Sequence, residues 1–321
     1  MELHNLSNAA KDLFRCPACS GRLDSAESHL TCRSPQCGIQ YPVINRIPIL
    51  LDERKSVFSL ADFVEERPTF FPKRRKIVQV VRSFTPSVSL NLKAKKNYTH
   101  LIQLLTARSK TPRVLVIGGS IVGEGMDAFA NHPDLELIET DVAMGPSVEL
   151  VCDAHDIPFA DQSFDGVVVQ AVLEHVADPH RCVEEIYRVL KHRGVIYAET
   201  PFIQQVHGGK YDFTRFTDLG HRRLFRRFEE IDRGAVCGPG MALAWSYSAF
   251  LVSFTKSRII AKMIRAFAAF TSFFLKYFDY FLIDRPGALD AASGYYFLGQ
   301  KSDRSITDRE LIGLYKGLQR C

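Results

Sequence analysis

The feature that most constrains the fold of this 321-residue chain is an alternation of short apolar runs with helical stretches that begins at residue 113. The runs are typical of buried strands and read RVLVIGG, LELIETD, SVELVCD, FDGVVVQ and RGVIYAETP. Amphipathic stretches such as PHRCVEEIYRVLKH lie between them. Repeated strand and helix units predict a mostly parallel sheet with helices on both faces, a doubly wound α/β fold. Ligands of such folds bind at the carboxyl ends of the strands.

The first of these runs continues into a glycine-containing loop, VLVIGGSIVGEG. Gly118 and Gly123 have the spacing of the outer glycines in a dinucleotide-binding loop, but Ser120 occupies the middle position, where a side chain obstructs a pyrophosphate. Asp141 ends the second run, where a carboxylate can accept hydrogen bonds from a ribose diol. The loop therefore favours an adenosine cofactor without a pyrophosphate, S-adenosylmethionine, over NAD. A phosphate-binding P-loop is excluded because the lysine and hydroxyl residue of that motif do not follow Gly123.

Half of the eight cysteines are clustered near the beginning of the sequence, with the spacing C-x2-C-x12-C-x4-C. The opening residues do not have the pattern of a secretion signal, so we expect a cytoplasmic protein, in which clustered cysteines bind metal more often than they form disulfides. Four thiolates in two pairs are the ligand set of a closed tetrahedral zinc site. The predicted Zn²⁺ ligands are Cys16, Cys19, Cys32 and Cys37. The alternative is a set of free thiols in a small core.

Two known families share these patterns. The block from VCDAHDIPF through LEHV and RVLK to AETP resembles the class I S-adenosylmethionine-dependent methyltransferases of the type 11 group, over residues 113–235. The cysteine pairs, with YPV and IPILL after them, resemble the small zinc-ribbon activators of tRNA and release-factor methyltransferases. These resemblances imply a Rossmann-like, seven-stranded sheet whose last strand, SGYYFLGQK, is antiparallel, with a small zinc ribbon in front of it.

The methyltransferase resemblance also implies roles for particular residues. The glycine loop would lie against the methionine moiety, Asp141 would bind the ribose, and Asp153 with Ala154 would face the adenine edge. Gln170 ends the fourth run and is expected at the same rim. The predicted cofactor-binding residues are Gly118, Gly119, Ser120, Gly123, Asp141, Asp153, Ala154 and Gln170. In the alternative interpretation, Asp141 and Asp153 only cap helices.

Candidate catalytic residues follow the fourth and fifth runs. The stretch PFIQQVHGGKYDFTRF combines a glycine pair with aromatic and charged residues, which is typical of a mobile loop over a site. We predict that His207 and Tyr211 face the methyl acceptor, unless this is simply a solvated loop. His175, in LEHV, is the third candidate, with a structural role or closure over the cofactor as its alternative.

The most apolar part of the chain precedes the last predicted strand. Residues 241–254 and 259–283 consist largely of Ile, Phe, Leu and Ala, and their charges Lys262, Arg265, Lys276 and Asp279 fall on one helical stripe. A single charged stripe argues against a membrane-spanning helix. The alternatives are a cap over an apolar substrate, an oligomer interface, a helix on a membrane surface, or an insertion packed on its own domain.

These patterns predict four regions. They are a zinc ribbon at 1–52, a linker with short helices at 53–84, a methyltransferase domain at 85–302 with an apolar helical insertion at 241–285, and a tail at 303–321. We expect an S-adenosylmethionine-dependent methyltransferase whose acceptor offers O or N, with a glycan-like or lipid-like small molecule favoured and a macromolecule open. The alternative is a zinc-ribbon protein that binds nucleic acid or a partner on a degenerate methyltransferase scaffold. The net charge of +5 and the basic runs PKRRK and KAKK leave nucleic acid open without favouring it.

Overall fold

The strands of the protein form one continuous sheet. The computed structural model describes residues 3, 6–26, 28–65, 85–121 and 123–318. Within these ranges the strands are β1 (Leu23–Ser25), β2 (His29–Cys32), β3 (Gln40–Ile44), β4 (Ile47–Leu50), β5 (Arg113–Ile117), β6 (Glu136–Asp141), β7 (Leu150–Cys152), β8 (Phe164–Gln170), β9 (Leu190–Pro201), β10 (Phe228–Cys237) and β11 (Gly294–Lys301). Their order across the sheet is β1-β2-β3-β4-β7-β6-β5-β8-β9-β11-β10.

The five predicted runs correspond to β5–β9, and these strands pair in parallel in the order β7-β6-β5-β8-β9. The run SGYYFLGQK forms β11, which is antiparallel to both β9 and β10 as expected. The prediction of a mostly parallel inner sheet with an antiparallel last strand is confirmed. The edge strand β10 was not identified from the sequence.

Helices cover both faces of this inner sheet. The helices in the described part of the chain are α1 (Asn8–Lys11), α2 (Leu60–Val64), α3 (Ala94–Thr106), α4 (Asp127–Ala130), α5 (Pro179–Val189), α6 (Asp218–Leu224), α7 (Pro239–Val252), α8 (Arg258–Ser272), α9 (Asp279–Leu282), α10 (Pro286–Ala291) and α11 (Asp308–Ile312). Because side chains alternate along a strand, Val114 and Val116 of β5 join the cluster containing α3, and Leu115 and Ile117 join the one containing α5. The doubly wound arrangement follows from this alternation.

The cysteine-rich segment extends the sheet. Asn45 and Arg46 both adopt left-handed conformations, with φ of 51° and 68°, as a two-residue type I′ hairpin requires, and they connect β3 to β4. β4 then pairs in parallel with β7, with Ile49 opposite Val151 and Leu50 opposite Cys152. The predicted seven-stranded sheet corresponds to β5–β11, and the N-terminal strands extend this sheet at its β7 edge to eleven strands.

The helical insertion lies between β10 and β11 and consists of α7, α8, a 3₁₀ turn (Phe273–Phe278), α9 and α10. The sequence predicted that the charged residues of this insertion lie on one helical stripe, and this prediction is wrong for Asp279. Asp279 is fully buried, and its carboxylate accepts hydrogen bonds from the backbone N–H of Gly240 (2.7 Å) and Met241 (3.0 Å) in the first turn of α7. A carboxylate at a helix N-terminus is stabilised by the unpaired N–H groups there, so Asp279 connects two helices of the insertion.

The remaining predicted regions are only partly described. The linker prediction at 53–84 contains α2, and its basic run PKRRK lies outside the described residues. The second basic run, KAKK, begins α3, where Lys93 forms an ion pair of 2.6 Å with Asp284. The tail contains α11, whose Asp308 lies 3.2 Å from the guanidinium of Arg226. No helix among the described residues combines the length and the apolar character needed to cross a bilayer.

Candidate functional site

A cavity of about 400 Å³ opens at the carboxyl ends of β5–β9. Small-molecule sites usually have volumes of about 300–1,000 Å³. The predicted cofactor-binding residues that line it are Gly118, Ser120, Gly123, Asp141, Asp153, Ala154 and Gln170. Gly119 faces Glu139 instead, since a Cβ on it would lie 3.0 Å from that side chain. Phe58 and Met241 bring the N-terminal segment and the insertion to the cavity wall.

The glycine loop lies against two neighbouring side chains. Gly118 has a φ of +84°, and a Cβ on it would lie 2.4 Å from Val172. A Cβ on Gly123 would lie 1.7 Å from Oε1 of Gln170. Both positions therefore require glycine, the first also for its left-handed conformation. Ser120, at the middle position, donates its backbone N–H to Oδ2 of Asp141 at 3.0 Å.

Asp141 ends β6 and holds the loop in place. Its Oδ1 accepts a hydrogen bond of 3.0 Å from the backbone N–H of Ala143, opposite the bond from Ser120. Burial raises the pKa of Asp141, and these backbone bonds act in the opposite direction. Each carboxyl oxygen has two lone pairs, so Asp141 can still accept hydrogen bonds from a ligand in the cavity.

Asp153 follows β7 and is held by three donors. Its Oδ1 accepts from the backbone N–H of His155 (3.0 Å) and from its ring Nδ1 (2.5 Å), and its Oδ2 accepts from the Ser56 hydroxyl (2.6 Å). His155 Nε2 in turn accepts from the backbone N–H of Asp178 at 3.0 Å, which assigns the ring proton to Nδ1. Burial acts to raise the pKa of Asp153, but the bonds from His155 and Ser56 hold it below its usual value.

Gln170 belongs to a buried hydrogen-bond network. Its Oε1 accepts from the Tyr98 hydroxyl at 3.0 Å, and its Nε2 donates to Oε2 of Glu199 at 2.9 Å. Glu199 also accepts from Asn91 at 2.9 Å and from the Tyr197 hydroxyl. Burial raises the pKa of Glu199. Sequence reasoning missed Glu199 and Asn91, although Glu199 lies near the end of a predicted strand, where ligand-binding residues are expected.

Two of the predicted catalytic residues meet at the other side of the cavity. The rings of His175 and His207 are nearly perpendicular, with centroids 4.8 Å apart. Their Nε2 atoms lie 3.6 Å and 3.8 Å from Oε1 of Glu174. Glu174 is fully buried, and burial raises its pKa to about 8. Glu174 precedes His175 in LEHV and lies shortly after the fourth predicted strand. That position at the end of a strand is the sequence signal that could have identified it as a site residue.

The third predicted catalytic residue is oriented differently. The ring of Tyr211 packs against Phe58, with centroids 5.4 Å apart, and its backbone carbonyl accepts a hydrogen bond of 2.8 Å from Nδ1 of His175. The loop around it is held by Asp212, which accepts from the backbone N–H of His207 (2.7 Å) and pairs with Arg215 (2.5 Å). The structure therefore brings His175 and His207 to the cavity wall, and Tyr211 contributes its backbone carbonyl.

A segment that forms part of this cavity also resembles known proteins in sequence. Residues 124–198 match a family described as "Methyltransferase domain". This segment, less than a quarter of the chain, is therefore similar to a methyltransferase domain. The match includes Asp141, Asp153 and Glu174, whereas Gly118 and His207 lie outside it.

Curated relatives match a part of the chain. Demethylmenaquinone methyltransferase of Symbiobacterium thermophilum is 36% identical over 115 residues, which are 34% of this chain and 42% of the relative. The protein of the same name from Paenarthrobacter aurescens is 32% identical over 77 residues, 23% of this chain and 30% of the relative. The chain thus spans less than half the length of these curated relatives.

The solved structures to which the chain is similar are distant in sequence. A putative sarcosine dimethylglycine methyltransferase from Galdieria sulphuraria is 14% identical, with a TM-score of 0.42, covering 71% of this chain and 97% of its own. A Haemonchus contortus phosphoethanolamine N-methyltransferase 2 in complex with S-adenosyl-L-methionine is 17% identical, with a TM-score of 0.40, covering 65% of this chain and 53% of its own. Because these likenesses are weak, the fold assignment depends on the strand order described above.

The cysteine cluster lies away from the cavity, at the N-terminal edge of the sheet. The Sγ atoms of Cys16 and Cys37 are 3.7 Å apart, those of Cys19 and Cys32 are 3.4 Å apart, and all four lie within 4.8 Å of one another. Tetrahedral zinc with Zn–S bonds of about 2.3 Å separates its sulfurs by about 3.8 Å, so this arrangement fits the ion. Burial and the neighbouring thiols raise the pKa of Cys32 to about 12.

Proposed function

We propose that this protein is an S-adenosylmethionine-dependent methyltransferase. The observation that carries the proposal is the pair of carboxylates, Asp141 and Asp153, at the ends of adjacent strands beside the glycine loop of one cavity. Asp141 can accept hydrogen bonds from a ribose diol, and Asp153 with Ala154 can face the adenine edge. A side chain at the middle loop position, where Ser120 stands, would obstruct a pyrophosphate, which supports this cofactor over a dinucleotide. The domain match over residues 124–198 supports the same reaction.

The chain's own residues would position the reactants and handle a proton. S-adenosylmethionine supplies an electrophilic methyl group when it is bound. Holding donor and acceptor aligned and close accounts for much of the acceleration in such a displacement. His175 and His207 lie at the cavity wall, where an imidazole can take a proton from an acceptor hydroxyl or ammonium. The acceptor would therefore enter between the glycine loop and this histidine pair.

We infer that the acceptor is a small molecule with an apolar part. Met241 of the apolar insertion and Phe58, Phe213 and Val236 line the cavity, so much of its wall is hydrophobic. Curated relatives are named for demethylmenaquinone, a small-molecule acceptor. A glycan-like or lipid-like precursor remains compatible with this wall, and the acceptor atom is O or N in this proposal.

We also propose that the insertion rests on an anionic membrane surface. Large apolar side chains on it point into solvent, with Phe254, Ile259 and Phe281 exposed to 75%, 73% and 76%. No acidic residue occurs from residue 239 to residue 278. The exposed basic residues are Lys256, Arg258, Lys262 and Arg265, none of which forms an ion pair with another described residue. An apolar face with several basic side chains beside it is complementary to anionic lipid.

Calorimetry on the full chain tests the cofactor proposal. We expect saturable binding of S-adenosylmethionine, weakened about tenfold or more in Asp141→Asn, since a hydrogen-bonded buried group is worth about 1.4 kcal/mol or more. Asp134→Asn is the matched control, because Asp134 is exposed and distant from the cavity. Absence of binding, or equal affinity in Asp141→Asn, would reject the proposal and favour the nucleic-acid-binding alternative.

Vesicle flotation tests the membrane proposal. We expect the protein to float with phosphatidylglycerol-containing vesicles, less with phosphatidylcholine alone, and to lose binding in Phe254→Ser/Phe281→Ser. Leu318→Ser is the control, since Leu318 is equally apolar and exposed elsewhere. Vesicle-independent dimerisation through the same phenylalanines, measured by light scattering, would overturn the proposal in favour of an oligomer interface.

A further inference from the structure

The histidine pair and Glu174 also form a cluster with the geometry of a metal site, and with an ion bound there the ion, in place of an imidazole, would activate the acceptor. We propose that Glu174, His175 and His207 bind a divalent metal ion at the cavity wall. The possible ligand atoms of these residues all lie within 4.8 Å of one another. Ligands on bonds of about 2.1 Å around a tetrahedral ion are separated by about 3.4 Å. The Nε2–Oε1 distances of 3.6 Å and 3.8 Å are close to this value.

The His175 imidazole is oriented as metal-binding histidines usually are. Nδ1 of His175 donates to the backbone carbonyl of Tyr211 at 2.8 Å, whereas Nδ1 of His207 lies 3.3 Å from the carbonyl of Gln205 and 3.5 Å from Nη2 of Arg215. A hydrogen bond from Nδ1 to a backbone carbonyl fixes the tautomer in which the Nε2 lone pair is available to a metal. In both residues it is Nε2 that faces Glu174. A Cβ on Gly208 would lie 2.5 Å from the His175 ring, so the loop closes tightly on this orientation.

Glu174 provides an independent indication of a ligand. Its side chain is fully buried, and neither carboxyl oxygen has a hydrogen-bond partner among the described residues. Buried carboxyl groups are costly unless they are paired or coordinate a metal. Arg215 is the nearby cation, but its guanidinium is engaged by Asp212 at 2.5 Å. A metal ion between Glu174 and the two histidines would satisfy the carboxylate directly.

The ligand set indicates the class of ion and its position. Two imidazoles and one carboxylate suit Zn²⁺, Mn²⁺ or Fe²⁺ and leave coordination positions open. All three side chains line the cavity, so the open positions face the space where the acceptor would enter. This part rests on the proposed function: an acceptor oxygen bound there would be oriented and acidified. The acceptor class is then one with a hydroxyl or other oxygen ligand.

The test uses Mn²⁺ alone with the full chain, followed by electron paramagnetic resonance of the free ion. Mn²⁺ prefers carboxylate and imidazole to thiolate, so the cysteine cluster competes little. We expect saturable binding of about one ion per chain, weakened about tenfold or more in Glu174→Gln and in His207→Ala. His180→Ala is the control, because His180 is exposed on α5. Circular dichroism of each variant verifies folding, and Glu174→Gln preserves side-chain shape.

The outcomes separate this inference from the methyltransferase proposal. Saturable Mn²⁺ binding that depends on Glu174 and His207 supports the metal site whether or not S-adenosylmethionine binds. Absence of saturable binding, or binding unchanged in both variants, overturns the metal site even when calorimetry shows the cofactor to bind.

Discussion

The hydroxyl of Ser56 donates a hydrogen bond of 2.6 Å to Oδ2 of Asp153, a residue 97 positions later in the chain. Ser56 belongs to the segment that follows β4, and Asp153 follows β7, the strand with which β4 pairs. The N-terminal part of the chain therefore contacts the cavity region in two ways. β4 pairs with β7, and the side chain of Ser56 binds Asp153.

Removing this bond should weaken cofactor binding without unfolding the protein. In Ser56→Ala, Asp153 keeps its bonds to His155 but loses one donor, so we expect the affinity for S-adenosylmethionine to fall about three- to tenfold. Calorimetry measures the change. Ser28→Ala, an exposed serine outside the cavity, serves as the control. Equal affinities in the two variants would show that Ser56 does not position Asp153.

Adding a methyl group at Gly123 should disturb both stability and binding. A Cβ there would lie 1.7 Å from Oε1 of Gln170, and Gln170 can move only by breaking its bonds to Tyr98 and Glu199. Overpacking of this kind costs about 1–3 kcal/mol. Urea unfolding of Gly123→Ala should show that loss, whereas Gly287→Ala should not, because nothing lies within 4 Å of a Cβ at 287. Unchanged stability in Gly123→Ala would contradict the packing described here.

The titration of Glu149 should lower the free energy of unfolding as the pH rises. Burial raises its pKa from 4.5 to about 7, and the nearby Glu139 adds to the effect. Between these two values the folded state keeps the proton that the unfolded state releases, so the free energy of unfolding falls across this range and then levels off. The full effect is at most about 3 kcal/mol.

Glu149→Gln removes this titration. We expect the variant to be more stable than the wild type at pH 8 and to lose much of the decline between pH 5 and pH 8, measured by urea unfolding at each pH. Glu229→Gln, an exposed glutamate, should follow the wild type. If the free energy of unfolding of the wild type instead rose between pH 5 and pH 8 relative to that of Glu149→Gln, the prediction would be wrong.

Loss of zinc from the cysteine cluster should weaken ligand binding in the cavity. In Cys32→Ser the cluster loses one ligand, and elemental analysis should show about one zinc per chain fewer than in the wild type. Because β4 pairs with β7 next to Asp153, we also expect weaker binding of S-adenosylmethionine. Cys182→Ala, a buried cysteine of α5, should keep its zinc. Equal zinc content in all three proteins would reject the metal assignment.

The sequence by itself determined the inner sheet and one side of the cavity. Apolar runs of strand length, separated by amphipathic stretches, give β5–β9, and residues at the ends of parallel strands must share one rim. Reasoning from these local patterns identified Asp141, Asp153 and the glycine loop as residues of the cavity rim. The cysteine spacing likewise located four sulfurs that the structure brings together.

Only the tertiary structure decided how distant segments combine. Pairing of β4 with β7, the bond from Ser56 to Asp153, and the approach of His207 to Glu174 depend on contacts between parts of the chain that no local pattern connects. The same holds for Asp279, whose charge suggested an exposed stripe but which is buried against the first turn of α7. Local periodicity specifies which face of an element is apolar, whereas a buried polar group takes its partner from whichever segment the fold places beside it.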